Sequence, residues 1–156
     1  MSPASKPLLE IKDLRTQFFL DEGVVSALDG IDLTVFEGES IGLVGETGCG
    51  KSMTALSVLG LVPHPGKITG GSVKFRGIEL TKLSEEQMRG IRGAQISMIF
   101  QDPTSSLDPV FTVGSQIGEV ISLHQEVYNK SALKKKVIDV LNLVKIAAPK
   151  TVIAQY

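Results

Sequence analysis

Gly45-Glu46-Thr47-Gly48-Cys49-Gly50-Lys51-Ser52 constrains this chain more than any other stretch. Glycines at 45, 48 and 50 suit neither helix nor strand, so the octapeptide predicts a tightly curved loop. Before it, Ile41-Gly42-Leu43-Val44 is a short apolar run of the kind that forms a strand buried on both faces. After Ser52 the residues predict a helix to about Leu61, with Leu56 and Leu59-Gly60 toward the core and Pro63 and Pro65 ending it. Strand, glycine-rich loop and helix in this order match the P-loop pattern. In such a loop, backbone N–H groups converge on a phosphate without Cβ interference, and the helix dipole favours its charge. Lys51 then reaches β- and γ-phosphates, and the Ser52 hydroxyl is placed to ligate Mg²⁺. The bland alternative is a glycine-rich turn with a solvated lysine. The flanking strand and helix argue against it.

Composition narrows the class further. The 156 residues suit one domain, and a chain of this length buries a core without disulfides or structural metals. Hydrophobic residues make up 42% and charged residues 21%, an ordinary globular balance. Sixteen Lys and Arg against seventeen Asp and Glu leave a net charge of −1, so a nucleic-acid surface built on excess positive charge is not expected. Cys49 stands alone, which excludes a disulfide-stapled scaffold and favours a reducing compartment. Residues 1–7 lack the pattern of a signal peptide. The apolar stretch Met53 to Val62 is far short of the ~20 residues that span a bilayer. The expectation is a soluble, cytoplasmic chain.

Along the chain, Leu8 to Leu14 reads as a strand, Asp21-Glu22-Gly23 as a turn, and Val24 to Leu28 as extended. Ile31, Leu33 and Val35 alternate with Asp32, Thr34 and Phe36, marking a strand with one apolar face. Gly70 to Phe75 predicts a strand closed by a turn at Gly77, and Ser84-Glu85-Glu86-Gln87 has capping-box spacing. Ile96 to Phe100 reads as a second buried strand leading into Gln101-Asp102-Pro103. Beyond Pro109 two helices are expected, Val113 to Leu123 and Ala132 to Val144. In the second, capped by Ser131, Leu133, Val137, Val140, Leu141 and Val144 recur at helical spacing. His64 and His124 lack partners at metal-ligand spacing. Cys49 reads as a small residue tolerated in the loop rather than a redox centre. Lys134-Lys135-Lys136 reads as the solvated face of a helix.

With the loop in place, the chain resembles the ATP-binding subunit of an ABC transporter, most closely the peptide/nickel importer branch. The resemblance rests on Leu28-Asp29-Gly30-Ile31, on Gly42 to Gly48, and above all on Ile99-Phe100-Gln101-Asp102-Pro103-Thr104-Ser105-Ser106-Leu107-Asp108-Pro109. Thr47 and Cys49 stand where that branch usually has serines; both are small, so the cradle is kept.

The resemblance implies the N-terminal part of an α/β nucleotide-binding domain. Residues of about 8–110 would form an antiparallel β subdomain and a partial RecA-like core carrying the Q-loop. Residues of about 111–156 would begin the helical subdomain, stopping before the signature motif. It also implies ATP and Mg²⁺ as ligands. Gly45, Glu46, Thr47, Gly48, Cys49, Gly50, Lys51 and Ser52 would hold the nucleotide phosphates. Gln101 would be the Q-loop glutamine contacting Mg²⁺ and the attacking water, an amide able both to accept and to donate. Phe18 would stack on adenine, with Phe19 as the other candidate. The partners implied are a second nucleotide-binding subunit and transmembrane permease subunits, with the chain peripheral on the cytoplasmic side of the membrane. The implied activity is ATP hydrolysis energising import of di- or oligopeptides, or of nickel. The signature motif, an apolar strand ending in Asp-Glu, and a switch histidine do not occur in the 156 residues, so hydrolysis is expected of a longer subunit. Rival readings are another P-loop ATPase or kinase, and a nucleotide-binding or docking fragment without turnover.

Overall fold

The computed structural model describes residues 6–100, 106–127 and 129–156, and the chain divides into two units, residues 1–96 and 97–156. In the first unit, β1 (Pro7–Leu20) and β2 (Gly23–Phe36) form one long hairpin through the turn at Asp21-Glu22. β3 (Gly66–Phe75) pairs on the other side of β1, and the short β4 (Ile78–Glu79) closes a four-stranded antiparallel sheet in the order β2-β1-β3-β4. The expected strand pieces thus merge into two continuous strands.

Their continuity depends on bulges. β1 carries an extra residue at Lys12-Asp13 against β2 and at Asp13-Leu14 against β3. Asp13 takes a positive φ of 46° there, and its N–H donates to the Asp32 carboxylate at 2.9 Å. The extra residue shifts the alternation, so Ile11, Leu14 and Thr16 all face inward while Arg15 stays on the outer face. Arg15 is ion-paired there with Asp13 and Asp29. The hydrogen bond it donates to Asp13, reinforced by the charges of both carboxylates, raises its pKa further. Ile11, Leu14, Leu28, Val58, Val73, Phe75, Leu80, Met88 and Ile91 make the core of this unit.

Helix α1 (Lys51–Val58) follows the loop and is shorter than expected. Gly60 adopts φ +63°; its N–H donates to Ser57 O at 3.1 Å and that of Leu61 to Leu56 O at 2.8 Å. This left-handed closure ends the helix before the prolines are reached. A 3-10 turn (Leu80–Lys82) leads to α2 (Glu85–Arg89), whose capping box forms as predicted. Ser84 Oγ accepts from Gln87 N at 3.3 Å, and Gln87 Oε1 accepts from Ser84 N at 2.9 Å.

Two expected strands do not form. Ile41 to Val44 has no regular structure, and Val44 is 97% exposed. Ile96 makes one isolated bridge to Arg92, and Ile99 is 96% exposed. An apolar run becomes a strand only where a neighbour accepts its backbone hydrogen bonds, and no strand lies beside either run among the described residues.

In the second unit, α3 (Val113–His124) and α4 (Lys130–Leu143) bury Ile121, Val137 and Leu141 against Ile117, Leu133, Val152 and Ile153. Asn129, not Ser131, caps α4, its side chain accepting from Ala132 N at 2.8 Å. Val140 and Val144 lie off the buried stripe and are exposed. A further turn, α5 (Pro149–Val152), was not expected. The carbonyls of Gln155 and Ile153 accept from the first amides of α3, Val113 and Gly114, at 2.8 and 3.0 Å. Among the described residues no helix is long and apolar enough to cross a membrane.

Candidate phosphate-binding site

The loop from Gly45 to Gly50 ends at the N-terminus of α1, as the motif requires. Gly48 and Gly50 take φ of +87° and +95°. Gly50, the N-cap, allows no other residue: a Cβ there would lie 2.8 Å from Leu28 Cδ2 and 3.0 Å from Ala27 O. Ala27 is itself an extra residue in β2, the bulge falling between the Thr16–Leu28 and Gln17–Ser26 pairs. The hairpin therefore presses on the loop where its backbone must turn into the helix.

Thr54 anchors the first turn. Its N–H and hydroxyl both donate to Gly50 O, at 2.8 and 2.9 Å, and its side chain is buried. The amides of Lys51, Ser52 and Met53 precede the first intrahelical bond and remain available to an anion. No acidic residue lies in that turn to compete. Lys51 folds back over the loop: Nζ donates to Gly45 O at 2.7 Å and Glu46 O at 2.6 Å, with Cys49 Sγ at 3.3 Å. The cation thus sits inside the curve of the loop. Ala27, Gly48, Gly50, Lys51, Ser52 and Met53 line an adjoining depression of about 250 Å³. Ser52 is exposed, and so are Glu46, Thr47 and Cys49 of the loop.

The far end of α1 is also fixed. Arg92 Nε donates to Leu59 O at 2.8 Å and Nη2 to Gly60 O at 3.2 Å, while Nη1 grips Glu85 at 2.6 Å. The hydrogen bond from Arg92 holds the Glu85 carboxyl below its usual range, with burial opposing it and the charges of Arg92 and Arg89 adding to it. Neither this clamp nor the buried Thr16–Ser57 hydroxyl contact (2.9 Å) was anticipated from sequence. Arg92 lies 32 residues beyond the carbonyl of Gly60 that it satisfies, and no local pattern carries a contact of that range.

Phe18 and Phe19 lie on opposite faces of β1 by the strand's alternation. Phe18 is half-buried, its ring against Gly66 beside Val62, and it shares the face of Thr16, which touches α1 through Ser57. Phe19 is 46% exposed, with Lys67 Nζ 6.0 Å from its ring centre. Gln101 falls outside the described residues. Among those residues, no group of three or more His, Cys, Asp or Glu is gathered for a metal.

The chain is similar to several known proteins. The chain is 48% identical over 156 residues to the probable peptide ABC transporter ATP-binding protein y4tR of Sinorhizobium fredii, covering 99% of this chain and 46% of that protein. It is 43% identical over 150 residues to the dipeptide transport ATP-binding protein DppD of Bacillus subtilis, covering 96% of this chain and 44% of the relative. The chain therefore spans less than half the length of these relatives. Its fold is similar to that of MJ0796, a bacterial ABC transporter cassette solved as a dimer. The TM-score is 0.81 at 20% identity, covering 94% of this chain and 60% of that one. The family profile described as ABC transporter matches residues 28–156, which begin at the bulge that shapes the loop and include all of α1. With the family profile over residues 28–156 and these relatives, the chain belongs to the ABC transporter family.

Proposed function

We propose that this chain is the phosphate-binding part of an ATP-binding subunit that energises import of di- or oligopeptides. The observation that carries this reading is the Lys51 ammonium held inside its own loop, beside the unpaired first-turn amides of α1. That donor set fits a polyphosphate. Three first-turn amides, one ammonium and the open space beside Gly48 suit an anion with several oxygens.

Bound Mg·ATP supplies the phosphoryl group whose transfer to water drives transport. Lys51 would exchange its carbonyl contacts for phosphate oxygens of the nucleotide, and Ser52 would offer its hydroxyl to Mg²⁺. Gln101 is assigned to Mg²⁺ and the attacking water by the family pattern alone. Phe18 is the base platform, because it shares the sheet face on which α1 packs, whereas Phe19 faces away. The peptide as cargo is supported by relatives named for dipeptide and oligopeptide transport, whereas nickel rests on the sequence resemblance alone. A second cassette subunit is supported by the dimer of MJ0796, and transmembrane permease subunits, with this chain peripheral on the cytoplasmic side of the membrane, by the transporter family.

Calorimetry of Mg·ATP against the wild-type chain and Lys51→Ala tests the reading. Loss of a charge-assisted contact is worth about 1.5–3 kcal/mol, roughly ten- to a hundredfold in affinity. Equal affinities in the two proteins contradict it.

A further inference from the structure

Thr16 and Ser57 are an oddity of the core. Thr16 is 0% exposed and Ser57 2%, and their hydroxyls meet at 2.9 Å across the gap between β1 and α1. An isosteric apolar pair would fill the same space without the need to satisfy two buried hydroxyls. What the hydroxyls add is geometry: a hydrogen bond holds its partners at a set distance and direction, whereas apolar surfaces slide.

Their position gives that geometry a use. Thr16 lies two residues before Phe18 on the same face of β1. Ser57 lies six residues after Lys51 on the same helix, about 9 Å along its axis. Thr16 also pairs with Leu28, the residue whose side chain presses on Gly50. Base platform, sheet, hydroxyl bond, helix and phosphate loop thus form one closed circuit. In ATP the span from adenine to the terminal phosphates is limited by the covalent chain, so platform and loop must be held at a matching separation.

Resting on the function proposed above, we infer that Thr16 and Ser57 are positioning residues that set the distance between Phe18 and the P-loop. They touch neither base nor phosphate. Their effect is confined to ligands that engage both ends, so ATP needs them and inorganic tripolyphosphate, which has no base, does not.

The test is NMR titration of the 156-residue chain with Mg·ATP and with Mg·tripolyphosphate, alongside urea unfolding. Thr16→Val alone leaves the Ser57 hydroxyl without its partner and can destabilise the fold, so the informative protein is Thr16→Val/Ser57→Ala, which removes both. It is expected to keep near-wild-type stability and tripolyphosphate affinity while the ratio of ATP to tripolyphosphate affinity falls about three- to tenfold, the range of coupled contacts. Thr16→Ser, which keeps the hydroxyl, is expected to restore the ratio. An unchanged ratio in the double variant overturns the inference, and so does a fall in stability that weakens both ligands equally. The underlying reading fails separately: Lys51→Ala would leave tripolyphosphate binding intact, or Phe18→Ala would leave the wild-type ratio intact.

Discussion

At the scale of single residues, the neighbouring phenylalanines are the sharpest case. From sequence either could stack on a base; the strand assigns them opposite faces, and only Phe18 shares the face that reaches α1. Phe18→Ala is expected to weaken ATP binding by about 1–3 kcal/mol, as base–aromatic contacts do, with tripolyphosphate binding nearly unchanged. Should Phe19→Ala show that selective loss instead, the facing of β1 toward the nucleotide is wrong. The loop itself was legible because its chemistry is local: Gly48, Gly50, Lys51 and Ser52 act within one turn of each other. The Arg92 clamp and the Thr16–Ser57 contact were not, since each joins residues more than 30 positions apart.

At the scale of elements, the edge of the sheet shows how a short strand is held. β4 has only two residues, and Glu79 compensates by accepting from the buried Val73 N–H at 2.9 Å and from Thr81 Oγ1 at 2.7 Å. Burial alone would raise the Glu79 pKa. Hydrogen bonds from the Thr81 hydroxyl, the Val73 amide, Ser72 and the Thr81 amide outweigh it, and the net direction is down. A carboxyl depressed in the folded state adds stability above its unfolded pKa, and that stability is lost as pH falls through the lower folded value. Glu79→Ala leaves Val73 N–H without this acceptor and is expected to cost about 1–3 kcal/mol in urea unfolding at pH 7. Glu79→Gln is expected to recover part of it and to remove this contribution to acid sensitivity. An alanine variant as stable as wild type at pH 7 contradicts the assignment.

The hairpin, the capping box and both long helices were readable because turn residues, Ser84 with Gln87, and helical spacing are short-range signals. The cap of α4 was misplaced by two positions, since Asn129 and Ser131 are both good caps and the choice lies in backbone geometry. Ile41 to Val44 and Ile96 to Phe100 carry the composition of strands without a partner to pair with, and pairing is not encoded in either run.

For the whole molecule, these two runs set its behaviour as an isolated polypeptide. Ile41, Leu43 and Val44 in one unit, and Ile99 and Phe100 in the other, are exposed apolar residues with strand-forming composition. The purified 156-residue chain is expected to self-associate through them, and sedimentation velocity reads this directly. Val44→Lys together with Ile99→Lys is expected to shift the population toward monomer. A wild-type chain that stays monomeric at high concentration contradicts that expectation.

Mg·ATP binding through Lys51 is the central claim, and measuring binding and phosphate release on the same preparation tests it. Mg·ATP binding and phosphate release are followed for wild type and Lys51→Ala. The account predicts weak, saturable binding that falls at least about tenfold without the Lys51 ammonium, with phosphate release at background in both proteins. Binding of equal strength in wild type and Lys51→Ala would contradict it.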